Sequence, residues 1–287
     1  MRTRFALAIF FFSLLSPGLV HGKEDVVAVL SSDLQPYQDA YTAFREKLQR
    51  PVRVIRLSDE NVRIDGEPKV IVAFGGKAAL FKYPESSALV YGLAPGTQIP
   101  LGRRSGPVTE IPMMPRAEKV FQELKVLQPG LRRLAVIWIS PANESYVREL
   151  EKAGHGQNVD VLVEKLGKSE NLPDRLRALR DHADALWIPS DPLLINEQNL
   201  VLLSQFSASA HIPFYSSIVG LTERGAVATL SVSYRTIGQT AAELVQKILS
   251  GSTPPPTWYD EDIDVFVNQK AAGALGLDVN GLERVRR

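Results

Sequence analysis

Short apolar runs rich in β-branched residues alternate along this chain with longer stretches whose apolar residues recur at helical spacing. That alternation predicts parallel sheets covered by helices. Val26–Leu30 reads as a buried strand, followed by a helix from about Pro36 to Leu48. Strands are expected at Val52–Leu57 and Lys69–Phe74. A short helix runs from Gly75-Gly76 through Phe81, and a further strand spans Ala88–Tyr91. Residues 92–112 hold Pro95, Gly96, Pro100, Gly102, Gly106 and Pro107, too many breakers for a regular helix.

A second series begins with a helix at Ala117–Leu127 and a strand at Leu134–Ile139. It continues with helix Asn143–Ala153, strand Val159–Leu166, helix Leu172–His182 and strand Ala185–Ile188. Helix Leu194–Ala210, strands Ile212–Tyr215 and Ala226–Leu230, and a long helix from about Tyr234 to Leu249 follow. Gly251 to Pro256 is a Pro/Ser/Thr linker before a late strand, Asp264–Val267, and a helix capped by Asn268. The fold class is therefore α/β: two Rossmann-like lobes with parallel sheets, one before about residue 112 and one after. The connection Ser58–Pro68 is short for a parallel crossover. Either its helix is trimmed to a turn or Val62–Ile64 is irregular.

The first residues follow a different pattern. Arg2 and Arg4 precede the apolar run Phe5 to Leu15, then Ser16-Pro17-Gly18 breaks the helix and Val20-His21-Gly22 offers a cleavage site. This predicts a secretory signal peptide, residues 1–22, cut after Gly22. Its removal leaves 265 residues with 31 basic and 32 acidic side chains, so the formal charge moves from +1 to −1. No global charge favours nucleic acid. The chain has no cysteine, which excludes disulfides, thiol nucleophiles, cysteine-bound metals and a lipidated cysteine anchor. The expected product is a free periplasmic protein, most simply a monomer.

In doubly wound sheets ligands bind beyond the carboxyl ends of the strands. Those positions here are Ser31-Ser32-Asp33 with Tyr37, Gly75-Gly76-Lys77, and Gly92-Leu93-Ala94 in the first unit. The second offers Ser140 to Asn143 with Tyr146, Pro189-Ser190-Asp191, and Ser216-Ser217. Hydroxyls, amides and carboxylates suit a small polar ligand, although the same residue types also cap helices and make turns. Gly75-Gly76-Lys77 lacks the spacing and the Ser/Thr of a P-loop. Tyr37, Phe74, Tyr146, Tyr215 and Tyr234 sit at or just past strand ends, where they can stack on a ligand. Trp138 and Trp187 read as core, and Trp258 and Tyr259 as packing across a hinge. His155, His182 and His211 are not spaced as metal ligands, and no G-x-S-x-G elbow exists. No metal, cofactor or enzymatic chemistry is implied.

Leu186 to Asp191 followed by Ile212-Pro213-Phe214-Tyr215 resembles the substrate-binding proteins of an ABC-transporter family. That family has the type I periplasmic-binding fold and includes predicted tryptophan and tyrosine importers. The likeness extends through Glu223-Arg224-Gly225-Ala226, Tyr234, Gly238 and Ile248 to Gly251, then to Val267-Asn268 and Ala274 to Leu277. Leu124 to Pro129 and Leu134 to Ile137 resemble the family's entry into its second lobe. The resemblance is good over 115–280 and loose over 23–114. It implies a two-lobed clamp with hinge crossings near 112, 231 and 260. Lobe 1 then holds 23–112 plus about 232–262, and lobe 2 holds 113–231 plus about 263–287. Its implied ligand contacts are Ser32, Gly76, Asn143 and Asp191, and our reading of the strand tips and rims adds Tyr37, Ser217 and Tyr234. The family's Pro-Thr-Asp-Asn is Pro189-Ser190-Asp191-Pro192 here, Ser216-Ser217 stands where it commonly has an aspartate, and Leu93-Ala94 replaces its Thr-Asp pair. These changes remove acids that hold an amino group and point away from a standard amino-acid ligand. The expected function is an exported solute-binding protein that captures a small ligand between two lobes for an ABC importer and meets that transporter's membrane permease. The alternative is a sensory or regulatory partner of a membrane receptor that uses the same clamp with an altered pocket.

Overall fold

Strands with apolar residues on every position must be covered on both faces, and the first such runs form the inside of a parallel sheet. The computed structural model describes residues 25–279 other than 60, 61 and 103. The expected export signal, residues 1–22, lies outside them. The first lobe contains β1 (Val26–Leu30), α1 (Gln35–Leu48), β2 (Arg53–Arg56), β3 (Val70–Phe74), α2 (Gly76–Ala79), β4 (Ala88–Gly92) and β5 (Val108–Ile111). Its strand order is β2-β1-β3-β4-β5, with every pair parallel.

The second lobe contains α3 (Ala117–Leu127), β6 (Arg133–Trp138), α4 (Glu144–Gly156), β7 (Asp160–Lys165), α5 (Leu172–Leu179), β8 (Ala185–Ile188), α6 (Glu197–Ala210), β9 (Phe214–Ser216) and β10 (Ala228–Ser231). The chain then forms α7 (Tyr234–Leu249), β11 (Asp264–Val267) and α8 (Gln269–Ala274). The second sheet runs β11-β10-β9-β8-β6-β7. It is parallel except for β11, which pairs antiparallel with β10 from Ser231↔Asp264 to Ala228↔Val267. The sequence pattern gives no direction for this strand. The chain leaves the second lobe at the carboxyl end of β10, passes through α7 on the first lobe, and returns at the same end, so β11 must run the opposite way.

Helix α7 packs along α1 and against β3 and β4. The approach is close because position 238 is glycine. An added Cβ there overlaps the carbonyl oxygen of Ala40 and stands 2.8 Å from its carbon and 3.0 Å from the Phe44 amide nitrogen. One apolar cluster fills this side of the first sheet through Ala28, Val72, Phe74 and Ile237. It continues past Ile111 and Met113 into the α3 and α4 side of the second sheet, around Phe121, Trp138 and Trp187. The other faces carry separate clusters, under α5 and α6 in the second lobe and under α2 in the first. The short connection from β2 to β3 forms no helix among its described residues. Val62 and Ile64 cover that part of the sheet directly, so two side chains do what a crossover helix would do.

Strand β5, absent from the sequence pattern, lies inside the breaker-rich stretch. Only four residues long, it completes the edge of the first sheet, and the Gly251–Pro256 linker runs on beside it. Glu110 donates its amide to Pro256 O at 2.8 Å and accepts from the Trp258 amide at 2.8 Å, while Thr109 Oγ1 donates to Pro255 O at 3.0 Å. A backbone that passes between lobes thus covers an otherwise open edge. Two further crossings touch where the Val232 amide donates to Met113 O at 3.3 Å. The carboxyl ends of the sheets face one another. A Cβ added at Gly96, after β4, stands 3.2 Å from Pro192 Cδ and 3.4 Å from Ser140 Oγ, which lie after β8 and β6.

Candidate ligand-binding site between the lobes

A cavity of about 830 Å³ lies between the lobes on the β5 side, against the segments that connect them. That volume falls in the range of small-molecule sites. The first lobe contributes Tyr91, the β4–β5 loop including Thr97 and Arg104, and Glu110. The second contributes Asn143, Ser145, Tyr146, Glu149 and Ser190. Met113, Met114, Thr257 and Tyr259 come from the connecting segments.

The turn that follows β6 places Asn143. Ser140 caps a short 3-10 turn, Pro141–Asn143, that leads into α4, and the Asn143 amide donates to Ser140 O at 3.0 Å. The Asn143 residue is 2 % exposed, and its side-chain Nδ2 has no hydrogen-bond partner. A buried amide group without a partner costs roughly 1–3 kcal/mol. It is the kind of donor that a ligand satisfies.

The other six sequence-derived candidates do not line this cavity. Gly76 and Ser217 lie next to its wall. A Cβ at Gly76 stands 3.1 Å from Thr97 Oγ1, and the Ser217 hydroxyl bonds the Ser190 hydroxyl at 3.0 Å. Ser32 and Tyr37 gather at the tips of β1 and β3. There Gly75, at φ +100°, leaves room for the Tyr37 ring, 2.7 Å from where a Cβ would stand, and Ser32 Oγ lies 3.5 Å from the Leu34 amide. Tyr234, the first residue of α7, packs against the shared apolar cluster. Asp191 is turned into the protein and is 1 % exposed. Its Oδ2 accepts from the amides of Ile139 at 2.6 Å and Ser140 at 2.8 Å, and its Oδ1 from Leu193 at 2.9 Å. This carboxylate ties the β8 tip to the β6 tip.

Among the rim aromatics, Tyr146 lines the cavity, whereas Phe74 and Tyr215 are fully buried in the core. Alternation along a strand sets the face each side chain takes, and theirs point into the helix-covered face rather than past the strand end. Trp138 and Trp187 are core as expected. Tyr91, Glu110, Glu149 and Tyr259 were missed as candidates. The available signal was one acid among apolar strand residues, in Val108–Ile111, but no strand was evident there to place it on.

Tyrosine hydroxyls hold both carboxylates. Tyr91 donates to Glu110 Oε2 at 3.3 Å and Tyr259 to Glu149 Oε2 at 2.9 Å. Burial raises the Glu110 carboxyl above its usual value, against the smaller lowering effect of the Tyr91 hydrogen bond. Burial also raises the Tyr259 phenol, and the charges of Glu149 and Glu110 raise it further while Arg116 opposes them. The Tyr146 phenol, which donates to Pro115 O at 2.9 Å, is raised by burial first and then by Tyr259 and Glu149. Burial first and Glu110 next raise the Tyr91 phenol as well, and all three phenols stay neutral at physiological pH. Among the described residues, no cluster of three His, Asp or Glu side chains forms a metal site.

A carboxyl raised on folding costs stability where it is ionised, and that cost grows as pH rises from the unfolded value through the folded one. The Glu110→Gln variant should therefore gain stability over the wild type as pH rises from about 4.3. The two should melt alike below that pH. Paired thermal melts between pH 4 and 8 check this, and a gap that narrows with rising pH contradicts it.

The family model of ABC transporter substrate binding proteins matches residues 99–285. A tyrosine-binding protein of Clostridioides difficile is 23% identical over 174 residues, which cover 59% of this chain and 50% of that protein. The chain thus spans about half the length of this curated relative. The ligand-free, open structure of a substrate binding protein with adhesive properties from Clostridium difficile aligns with TM-score 0.65 at 16% identity, covering 91% of this chain and 97% of that one. An ABC domain in complex with L-Trp from Streptococcus pneumonia aligns with TM-score 0.59 at 14% identity, covering 90% and 96%. These likenesses establish the type I periplasmic-binding fold.

Proposed function

The chain belongs to the ABC transporter substrate-binding protein family, and from that premise we propose that it is an exported, non-enzymatic protein that closes on a small solute and delivers it to the permease of an ABC importer. The observation that carries this reading is the interlobe cavity, lined from both lobes and holding the buried, unpaired Asn143 amide. A ligand bridging both lobes makes its full set of contacts only when they are closed, and that difference in affinity drives closure. Hinge segments passing beside the cavity, with Met113, Met114 and Tyr259 in its wall, couple occupancy to the angle between the lobes. Signal-directed export through residues 1–22 places this activity in the periplasm.

The Clostridioides difficile relative is named for tyrosine and the Streptococcus pneumonia domain holds L-Trp, so aromatic amino acids and their derivatives head the test panel. Thermal-shift measurement on purified protein should find a compound that raises Tm. A ligand at a hundred times its Kd adds about 2.7 kcal/mol. The Asn143→Ala variant should bind that compound roughly tenfold more weakly, the value of one buried hydrogen bond. A broad metabolite panel without a single shift overturns the reading.

A further inference from the structure

The charges around the cavity are not balanced. Among the described residues, its wall carries the carboxylates of Glu110 and Glu149 and one guanidinium, Arg104. The Arg104 Nη2 donates to Ser87 O at 2.7 Å, Glu85 is the acid that acts on it, and its Nε has no hydrogen-bond partner among the described residues. The hydrogen-bond partner of Glu110 is a neutral phenol, Tyr91, and the partner of Glu149 is another, Tyr259. Arg116, which does not line the cavity, lies 5.8 Å from the Tyr259 ring centroid and pairs with Glu261 at 3.3 Å. A largely buried carboxylate with no cation of its own therefore faces a ligand-sized space, opposite a second carboxylate from the other lobe. Tyr91, Tyr146 and Tyr259 surround that space. Aromatic faces next to carboxylates favour an organic cation, by cation–π attraction and by charge-assisted hydrogen bonds. In the same wall, the buried Asn143 Nδ2 has no hydrogen-bond partner among the described residues.

We propose that the solute is a protonated organic amine with an apolar or aromatic body, its nitrogen held by Glu110 of the first lobe and Glu149 of the second. This rests on the binding reading above and assigns its ligand class. The amine draws the lobes together because its charge is satisfied only when both carboxylates reach it. The body lies against the tyrosines and Met113, and Asn143 donates to an acceptor elsewhere on the ligand. The carboxylates that the strand tips lack, at Ser216-Ser217 and Leu93-Ala94, are supplied here from the hinge side.

Three probes with one aromatic body and different charge test the assignment by isothermal titration calorimetry: tyramine, tyrosine and 3-(4-hydroxyphenyl)propionate. Tyramine should bind most tightly and the acid least. Glu110→Gln, which keeps an oxygen for Tyr91, should lower tyramine affinity roughly 10- to 100-fold, the range for losing a hydrogen bond to a charged group. Glu149→Gln, at an exposed position, should lower it less. Tighter binding of the acid or of tyrosine than of tyramine overturns the inference, as does unchanged tyramine affinity in both variants. If all three probes fail while a neutral or anionic metabolite binds and loses affinity in Asn143→Ala, the amine assignment falls and the binding reading stands. If nothing binds, both fall.

Discussion

Replacing Gly238 by alanine should destabilise the protein by about 3 kcal/mol, the upper part of the range for overpacking a well-filled core, or roughly 6–10 °C in Tm for a chain of this size. In a free helix the same change gains about 1 kcal/mol, because alanine is the better helix former. The sign is set by what the new methyl meets. At position 238 it overlaps the carbonyl oxygen of Ala40 and crowds the Phe44 amide. Those are backbone atoms of α1, and they move only if the whole helix moves. Helix α7 is also where the chain, having left β10 of the second lobe, is anchored on the first. Separating α7 from α1 therefore loosens the connection between the lobes as well as the core. Gly273 in α8 is the control, since nothing lies within 4 Å of a Cβ added there. Gly273→Ala should be neutral or stabilising by up to about 1 kcal/mol. Equal melting temperatures for the two variants would show that α7 does not pack on α1 as described.

The second large effect is expected at Asp191. Asp191→Ala leaves the amides of Ile139, Ser140 and Leu193 without their acceptor. Leu193 is exposed, so water can serve it, but the other two belong to the buried β6 tip. Two orphaned amides cost roughly 2–4 kcal/mol. Asp191→Asn, which keeps one acceptor oxygen, should lose less. The damage should be local first, with faster hydrogen exchange at Ile139 and Ser140 well before global unfolding. Ligand binding should weaken too, because the tips that carry Asn143 and Ser190 lose their tie. A residue that merely touched ligand would lower affinity and leave Tm of the free protein unchanged. That outcome would return Asp191 to the role its strand-tip position suggests.

Much of the architecture was legible before the structure. Val26–Leu30, Ala117–Leu127, Ala185–Ile188, Tyr234–Leu249 and Asp264–Val267 coincide with β1, α3, β8, α7 and β11. Each is a run whose periodicity or unbroken apolarity is a local property, visible without knowing its partner. The expected export signal and the exclusion of cysteine chemistry likewise rest on local composition. Of the seven positions expected to touch a ligand, Asn143 lines the cavity between the lobes. At the strand tips, serine, aspartate and glycine serve caps, turns and ligands with the same groups. Local sequence does not say which way a side chain faces. Asp191 turns inward because two amides just past β6, some fifty residues away, lie within reach.

What the sequence by itself determined, then, is two α/β halves in series, their strand and helix order, and a charge pattern without a nucleic-acid footprint. Tertiary structure decided the direction of β11, the existence of β5 and the location of the cavity. All three depend on pairings between distant segments. Strand β5 is four residues flanked by breakers, and it is held by β4 on one side and by Pro256 and Trp258 on the other. The cavity draws on residues 91–114, 142–149, 190 and 253–259, which meet only because the chain crosses between the lobes three times. Glu110 acquires its chemistry from that assembly. In the sequence it is one acid in a breaker-rich stretch, and the fold buries it beside Tyr91 in the cavity wall.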